Sequence, residues 1–245
     1  MGTAGRTRAP GTGRRGQLLS GLAVALGCVL FLGGFVWGAL VYQPYTVPTD
    51  SMDPTVKAGD RVLAERTDGG AVRRGDVVVF QDSVWGDLPM VKRVVGVGGD
   101  TVACCDKQGR LTINGKAVDE PYLSDGGPAS DTGFEETVPE GKLFLLGDQR
   151  RGSQDSRVRL DSDHWAVDRS AVDARVDAVA WPMASFGTIS RPESFAALPG
   201  GVSDEGPLKP LVLAIVTGVV LILGGAAHGP IARRRARTPR SRPQG

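Results

Sequence analysis

Apolar and polar positions divide this chain into two kinds of territory. Residues 18–42, LLSGLAVALGCVLFLGGFVWGALVY, hold no charged side chain over 25 positions. That exceeds the roughly 20 residues a helix needs to cross a hydrocarbon core, so a transmembrane helix is predicted there. A second uncharged run at residues 210–231, PLVLAIVTGVVLILGGAAHGPI, predicts a second span, densest in large apolar residues over 211–223 and rich in Gly and Ala beyond. The other reading of the first run is a cleaved secretory leader. Such leaders carry an apolar region of about 7–15 residues and a small-residue exit, and this run is longer and shows no clear A-x-A exit.

Between the two runs the pattern changes to short β-branched segments punctuated by Gly, Pro and Asp. β-Branched content and bounding turn residues predict strands at residues 61–65, 77–80, 90–97, 101–104, 111–113, 143–146 and 174–181, with Gly98-Gly99-Asp100 and Asn114-Gly115 as turns. No long helical periodicity interrupts them, so the fold class is mostly β: a β-barrel or sheet domain flanked by transmembrane helices. The segment SDGGPASDTGFEE, 124–136, reads as a solvated loop or partly disordered flap, and 190–209 as a linker. The expected organisation is a disordered basic tail at 1–17, a span at 18–42, a β domain at 43–189, a linker at 190–209, a second span at 210–231 and a basic tail at 232–245.

Charge orients this arrangement. Arg6, Arg8, Arg14 and Arg15 precede the first run, and Arg233, Arg234, Arg235, Arg237, Arg240 and Arg242 follow the second, with no acids on either flank. Both termini are therefore expected on the cytoplasmic side of a cell membrane. Residues 43–207 hold 18 Lys and Arg against all 27 Asp and Glu, nine net negative charges behind an overall +2, and this acidic middle is the expected extracytoplasmic part. Basic flanks set directly against apolar spans suit anionic lipid headgroups; no nucleic-acid-reading motif is present, and none is expected as a partner.

The residues available for chemistry are few. Of two histidines, His228 sits at the end of the second run and His164 in the charged stretch DSDHWAVD, a poor setting for a Ser-His-Asp triad, though His164 leaves that alternative open. There is no His-x-x-x-His or Cys-x-x-Cys spacing, so no metal or other cofactor is expected. Cys28 lies inside the first span; Cys104 and Cys105 are adjacent, so a bond between them would close a vicinal ring. Lys92 is unusual: it stands in an apolar strand between Met90, Val91, Val94 and Val95, where an unpaired buried charge is costly. An edge-strand lysine pointing to water is the plainer reading of that position alone.

Three segments appear in an order that resembles the type I signal peptidases. They are Pro48-Thr49-Asp50-Ser51-Met52-Asp53-Pro54-Thr55; Arg74-Gly75-Asp76-Val77-Val78-Val79-Phe80 with Val91-Lys92-Arg93-Val94-Val95-Gly96-Val97-Gly98-Gly99-Asp100; and Val138-Pro139-Glu140-Gly141 leading into Gly147-Asp148-Gln149-Arg150-Arg151-Gly152-Ser153-Gln154-Asp155-Ser156-Arg157. The resemblance covers roughly residues 18–182. It implies a membrane-bound serine endopeptidase, monomeric and without cofactor, that removes signal peptides from exported preproteins after small residues of the A-x-A type. It implies Ser51 as nucleophile and Lys92 as general base. A free lysine has a pKa near 10.4; only one deprived of water would be neutral enough to accept the serine proton. Thr49 and the Ser51 N–H would hold the oxyanion, Ser153 would orient the lysine, and Asp148 with the ion pair Asp155 and Arg157 would support the site. Substrate would bind along Tyr45, Val47 and Pro48 on one side and Pro89, Met90 and Val91 on the other, with Met52 contributing apolar surface toward the bilayer.

Departures from that pattern are Gln149 where Asn is usual, Asp50 before the nucleophile, expected to face solvent, and VRLDSDHW after Arg157 without the usual Gly. Two other readings remain at this point: a Ser-Lys protease that cuts itself or a dedicated partner, disfavoured by the spans and the lack of a DNA-binding domain, and a catalytically silent membrane-anchored peptide binder.

Overall fold

The computed structural model describes residues 12–124 and 126–236, with the side chains of 12–15 and 228–236 left aside. In chain order the elements are α1 (Thr12–Val41), β1 (Tyr42–Thr46), β2 (Arg61–Arg66), β3 (Val77–Phe80), β4 (Met90–Val97), β5 (Thr101–Cys104), β6 (Leu111–Ile113), β7 (Lys116–Ala117), β8 (Phe134–Thr137), β9 (Lys142–Leu146), β10 (Val167–Asp168), β11 (Val172–Trp181), β12 (Gly187–Thr188), α2 (Glu193–Ala196) and α3 (Leu208–Ala236). They form two compact units, a helical one containing α1 and α3 and a β unit of residues 41–206.

In the helical unit, residues Gly16–Val41 and Leu208–Ala227 are long and apolar enough to cross a membrane. Their large side chains are mostly exposed, as Leu18, Leu22, Val29, Leu40, Leu213 and Leu223 show. Small residues let the two backbones meet: a Cβ added at Gly27 would lie 2.8 Å from the Gly218 carbonyl oxygen, and Ser20 Oγ donates to the Gly225 carbonyl at 2.7 Å. Close approach through Gly with a hydroxyl bond across it is how apolar helices associate where burial offers no drive. The helix α1 begins at Thr12, within the expected tail, and ends at Val41, and Tyr42 belongs to β1. The tail residues 1–11 and 237–245 lie outside the described residues.

The β unit contains an eight-stranded antiparallel sheet in the order β1-β2-β11-β3-β4-β9-β10, with β12 beside β11, and a four-stranded sheet β7-β6-β5-β8. The predicted strands are present, several with the expected bounds, and the Asn114-Gly115 turn joins β6 to β7 with Asn114 at φ 53°. One apolar cluster on the large sheet gathers Val47, Met52, Val62, Val79, Val91 and Val176. A second packs Val78, Phe80, Trp85, Val94, Leu143 and Leu145, and a third joins the small sheet to Phe144 and Leu146.

Two segments differ from their expected loops. Part of the supposed flap is β8, which pairs with β5 because Phe134 stacks on Phe144, ring centres 5.6 Å apart. The supposed linker carries α2, and Phe195 and Leu198 are buried in the third cluster. Arg191 binds Asp76 at 2.8 Å, and Ser203 donates to the same carboxylate. One aromatic or two apolar residues in a polar stretch suffice to dock it, a signal too sparse for periodicity to register. Cys104 and Cys105 are joined in a vicinal disulfide.

Candidate active site

Ser51 sits in a single 3-10 turn, Asp50–Met52, that follows the edge strand β1. The turn sends Met52 into the core, fully buried beside Val47 and Val91, and leaves Ser51 facing a cleft. Met52 is therefore not the apolar surface element expected of it: a three-residue turn cannot present two successive side chains to the same side. Val47 and Val91 likewise put their side chains in the core, whereas Pro48 and Pro89 are exposed and Tyr45 and Met90 half-buried. Asp50 is exposed as expected, its carboxylate accepting from the Ala58 N–H at 2.8 Å.

Lys92 approaches from β4. Its Nζ donates to Ser51 Oγ at 2.7 Å and to the Val91 carbonyl at 3.2 Å, and the residue is only 5% exposed. Burial lowers its pKa to about 8, against an upward pull from Asp155 and then Asp148. Thr49 Oγ1 points at the same atom, donating to Ser51 Oγ at 3.3 Å. Together with Asp50, Met90 and Gln149 these groups line a cleft of about 300 Å³.

The strands flanking the cleft have unfilled edges. Among the described residues β1 pairs only with β2, and β4 pairs with β9 from Arg93 onward, so residues 90–92 have β3 on one side and no strand on the other. Such edges can accept an extended peptide.

Behind the cleft lies a buried ionic framework. Arg93 is wholly buried and holds Asp148 through two bonds of 2.9 and 2.7 Å. Its Nη1 donates to the Gly75 carbonyl at 2.8 Å, and its guanidinium lies 3.9 Å from the Tyr122 ring centre. Thr55 donates to Asp148 at 2.5 Å. Arg150 pairs with Glu120 at 2.6 Å. Asp155 binds Arg157 through bonds of 2.9 and 2.8 Å and accepts from the Gly147 N–H at 3.1 Å.

Ser153 is buried, and its Oγ has no hydrogen-bond partner among the described residues. The bond to Lys92 implied by the resemblance is thus not made. The hydroxyl is turned instead toward Gly147, where an added Cβ would collide with both Ser153 and the Ser51 carbonyl. Gln149 tethers that carbonyl through its own N–H at 3.1 Å, while its Oε1 is buried without a partner. His164 is exposed, and its main chain is what is engaged: the carbonyl accepts from Trp85 Nε1 at 2.8 Å and the N–H donates to Ser162 Oγ at 3.4 Å. No group of three or more His, Cys, Asp or Glu side chains suited to a metal occurs among the described residues.

Sequence reasoning overlooked Arg93, Thr55, Glu120, Tyr122 and Arg150. One signal was available: Lys92 and Arg93 are consecutive in an apolar strand, and alternation sends them to opposite faces, so the second cation also needed a buried partner.

Comparison with known proteins gives one result throughout. Residues 18–181 match the family described as signal peptidase, peptidase S26. Signal peptidase I of Bacillus licheniformis is 41% identical over 132 residues, covering 50% of this chain and 69% of the relative. Signal peptidase IB of Staphylococcus aureus is 33% identical over 191 residues, covering 68% and 92%. A solved structure, signal peptidase I from Enterococcus faecalis, is 28% identical with a TM-score of 0.35, covering 42% of this chain and 94% of the other. The chain belongs to the signal peptidases, the serine endopeptidases of family S26.

Proposed function

We propose that this peptidase removes signal peptides from exported preproteins with Ser51 as nucleophile and Lys92 as general base, cutting after small residues. The observation that carries the reading is the 2.7 Å contact between Lys92 Nζ and Ser51 Oγ, made by a buried amine whose pKa is lowered to about 8. At that value a useful fraction of the amine is neutral near physiological pH and accepts the Ser51 proton as Oγ attacks the scissile carbonyl. The resulting ammonium then protonates the departing amine, leaving an acyl-enzyme. Lys92 next deprotonates the water that hydrolyses the ester and returns Ser51 to its resting state.

The Ser51 N–H and Thr49 Oγ1 hold the oxyanion in this scheme; Thr49 Oγ1 lies 3.3 Å from Ser51 Oγ, near enough for its hydroxyl to turn from the nucleophile to the oxyanion. Asp148, Asp155 and Arg157 keep the framework behind the cleft rigid, and Ser153 serves Lys92 once substrate alters the cleft. The peptide pairs with the backbone of residues 45–49 and 89–91, a role that survives the burial of the Val47 and Val91 side chains because strand addition uses main-chain groups. The basic flanks support cytoplasmic termini and an extracytoplasmic β unit, acting as a monomer beside membrane lipid.

The test uses full-length protein in detergent with a preprotein substrate, mapping the new N-terminus. Wild type is expected to cut after a small residue. Ser51→Ala and Lys92→Ala should each lose at least about 10³-fold in kcat/KM, and cleavage that persists in either variant contradicts the dyad.

A further inference from the structure

Beyond the dyad cleft, the same two edge segments border a second and larger opening of about 730 Å³. Pro89, on its wall, directly precedes Met90 of the dyad cleft, while Gln43 and Tyr45 lie upstream on the strand that leads to Thr49. The two openings are thus successive stretches between one pair of segments. The ends of β2, β3 and β11 close the second one with Arg66, Asp68, Gln81 and Asp173.

Its walls are chemically unlike an apolar groove. Two carboxylates, two amides, a phenol, the Thr67 hydroxyl and one guanidinium, Arg66, line it, a net single negative charge, and Asp68 and Asp173 are exposed. The guanidinium of Arg66 is drawn to the Tyr42 carbonyl, donating at 3.0 Å. The groups converge electrostatically on Tyr45, whose phenol pKa is raised by burial and by Asp173 and lowered by Arg66. An apolar side chain entering here would dehydrate polar groups without replacing their hydrogen bonds. A basic or amide side chain would satisfy them.

We propose that this opening is a further substrate subsite, formed by Gln43, Tyr45, Asp68, Gln81 and Asp173, that reads the polar stretch of the signal peptide and favours a basic or amide residue. It rests on the dyad and edge assignment given above, in which the part of the substrate before the cut runs beside residues 45–49. An extended peptide advances about 3.3 Å per residue, like the segment beside it, which places the subsite roughly five to seven residues before the cut. The apolar core of the signal must then end upstream of this point.

The experiment compares otherwise identical preprotein-derived peptides carrying Lys, Gln, Glu or Leu at each of these positions, using the full-length protein in detergent. Two readouts are taken: kcat/KM of the wild type, and Kd for the Ser51→Ala protein by fluorescence anisotropy. At one position Lys should exceed Glu by roughly three- to fivefold in kcat/KM, carried by KM, with Gln above Leu. The Lys preference should disappear in Asp68→Asn/Asp173→Asn and shrink in about 0.5 M salt. Equal values for all four peptides at every position, or a preference that survives the double substitution, overturns the subsite. Absence of wild-type cleavage, or cleavage by Ser51→Ala, instead overturns the dyad, and the Kd series still decides the subsite.

Discussion

Lys92 and Arg93 are consecutive cations on β4, both buried, yet they occupy opposite electrostatic regimes. Lys92 meets a hydroxyl and a carbonyl at 2.7 and 3.2 Å and, among the described residues, no carboxylate within bonding distance. Arg93, on the other face of the strand, is gripped by Asp148, capped by Gly75 and covered by Tyr122. Burial lowers the Lys92 pKa, whereas around Arg93 burial pulls down and is overcome by the charge and hydrogen bonds of Asp148 together with Tyr122 and Glu120, so the net shift is upward. One strand thus sets a dehydrated amine and a permanent structural cation side by side. The choice of residue matters: an ammonium sheds its proton when dehydrated, and a guanidinium does not.

The largest expected effect that tests this contrast is on the Arg93 side. Arg93→Met strands Asp148 as a buried carboxylate without its countercharge, and removing one partner of a buried pair costs about 3–5 kcal/mol. For a chain of this size that lowers Tm by roughly 10 °C. A thermal melt of the detergent-solubilised protein reads it. A Tm within about 2 °C of wild type would show that the pair contributes nothing net.

The same substitution at Lys92 should act in the opposite direction. Burial lowers the folded-state pKa to about 8 from the ordinary lysine value of 10.5, so below pH 8 both states are protonated and the native state bears the whole cost of burying the ammonium. Between pH 8 and 10.5 the unfolded chain binds more protons, so stability rises with pH across that window. Lys92→Met is therefore expected to stabilise the protein at pH 7 by about 1–3 kcal/mol while abolishing cleavage, with the gain fading toward pH 10.5. Wild-type kcat/KM should climb through about pH 8 and then level off. A rate still rising above pH 10, or a Lys92→Met protein less stable than wild type at pH 7, would contradict a dehydrated base.

The contrast also marks how far the sequence could be read. Ser51 and Lys92 were legible because a lysine among Met90, Val91, Val94 and Val95 violates the apolar pattern, and because the ordered motifs resemble a known family. Strands rich in β-branched residues and bounded by turn residues, such as 77–80 and 90–97, were legible to the residue. Asp148 was read as a supporting residue, but its pairing with Arg93 was not legible, nor were Thr55 and Tyr122, since these three lie 55, 38 and 29 positions away and only the folded sheet unites them with Arg93. β8 and α2 were missed because single residues, Phe134 and Phe195, anchor them. Met52 was misplaced because Ser51 and Met52 read as one motif, whereas the turn sends them to opposite sides.

Ser153 provides the smallest and most selective test. At rest its buried hydroxyl has no partner among the described residues, so Ser153→Ala deletes none of their hydrogen bonds and should change stability by less than about 1 kcal/mol. If the hydroxyl rotates from Gly147 to accept from the Lys92 amine when substrate is bound, its loss lowers kcat by about tenfold with KM unchanged. It also moves the apparent pKa of the base down by a few tenths of a unit, because a bond that favours the ammonium is gone. A stopped-assay pH profile at saturating substrate measures both. Unchanged kcat and an unchanged profile would confine Ser153 to packing against Gly147, leaving burial and the Ser51 contact to orient the amine. A lower Tm would reveal a partner for the hydroxyl in the resting state.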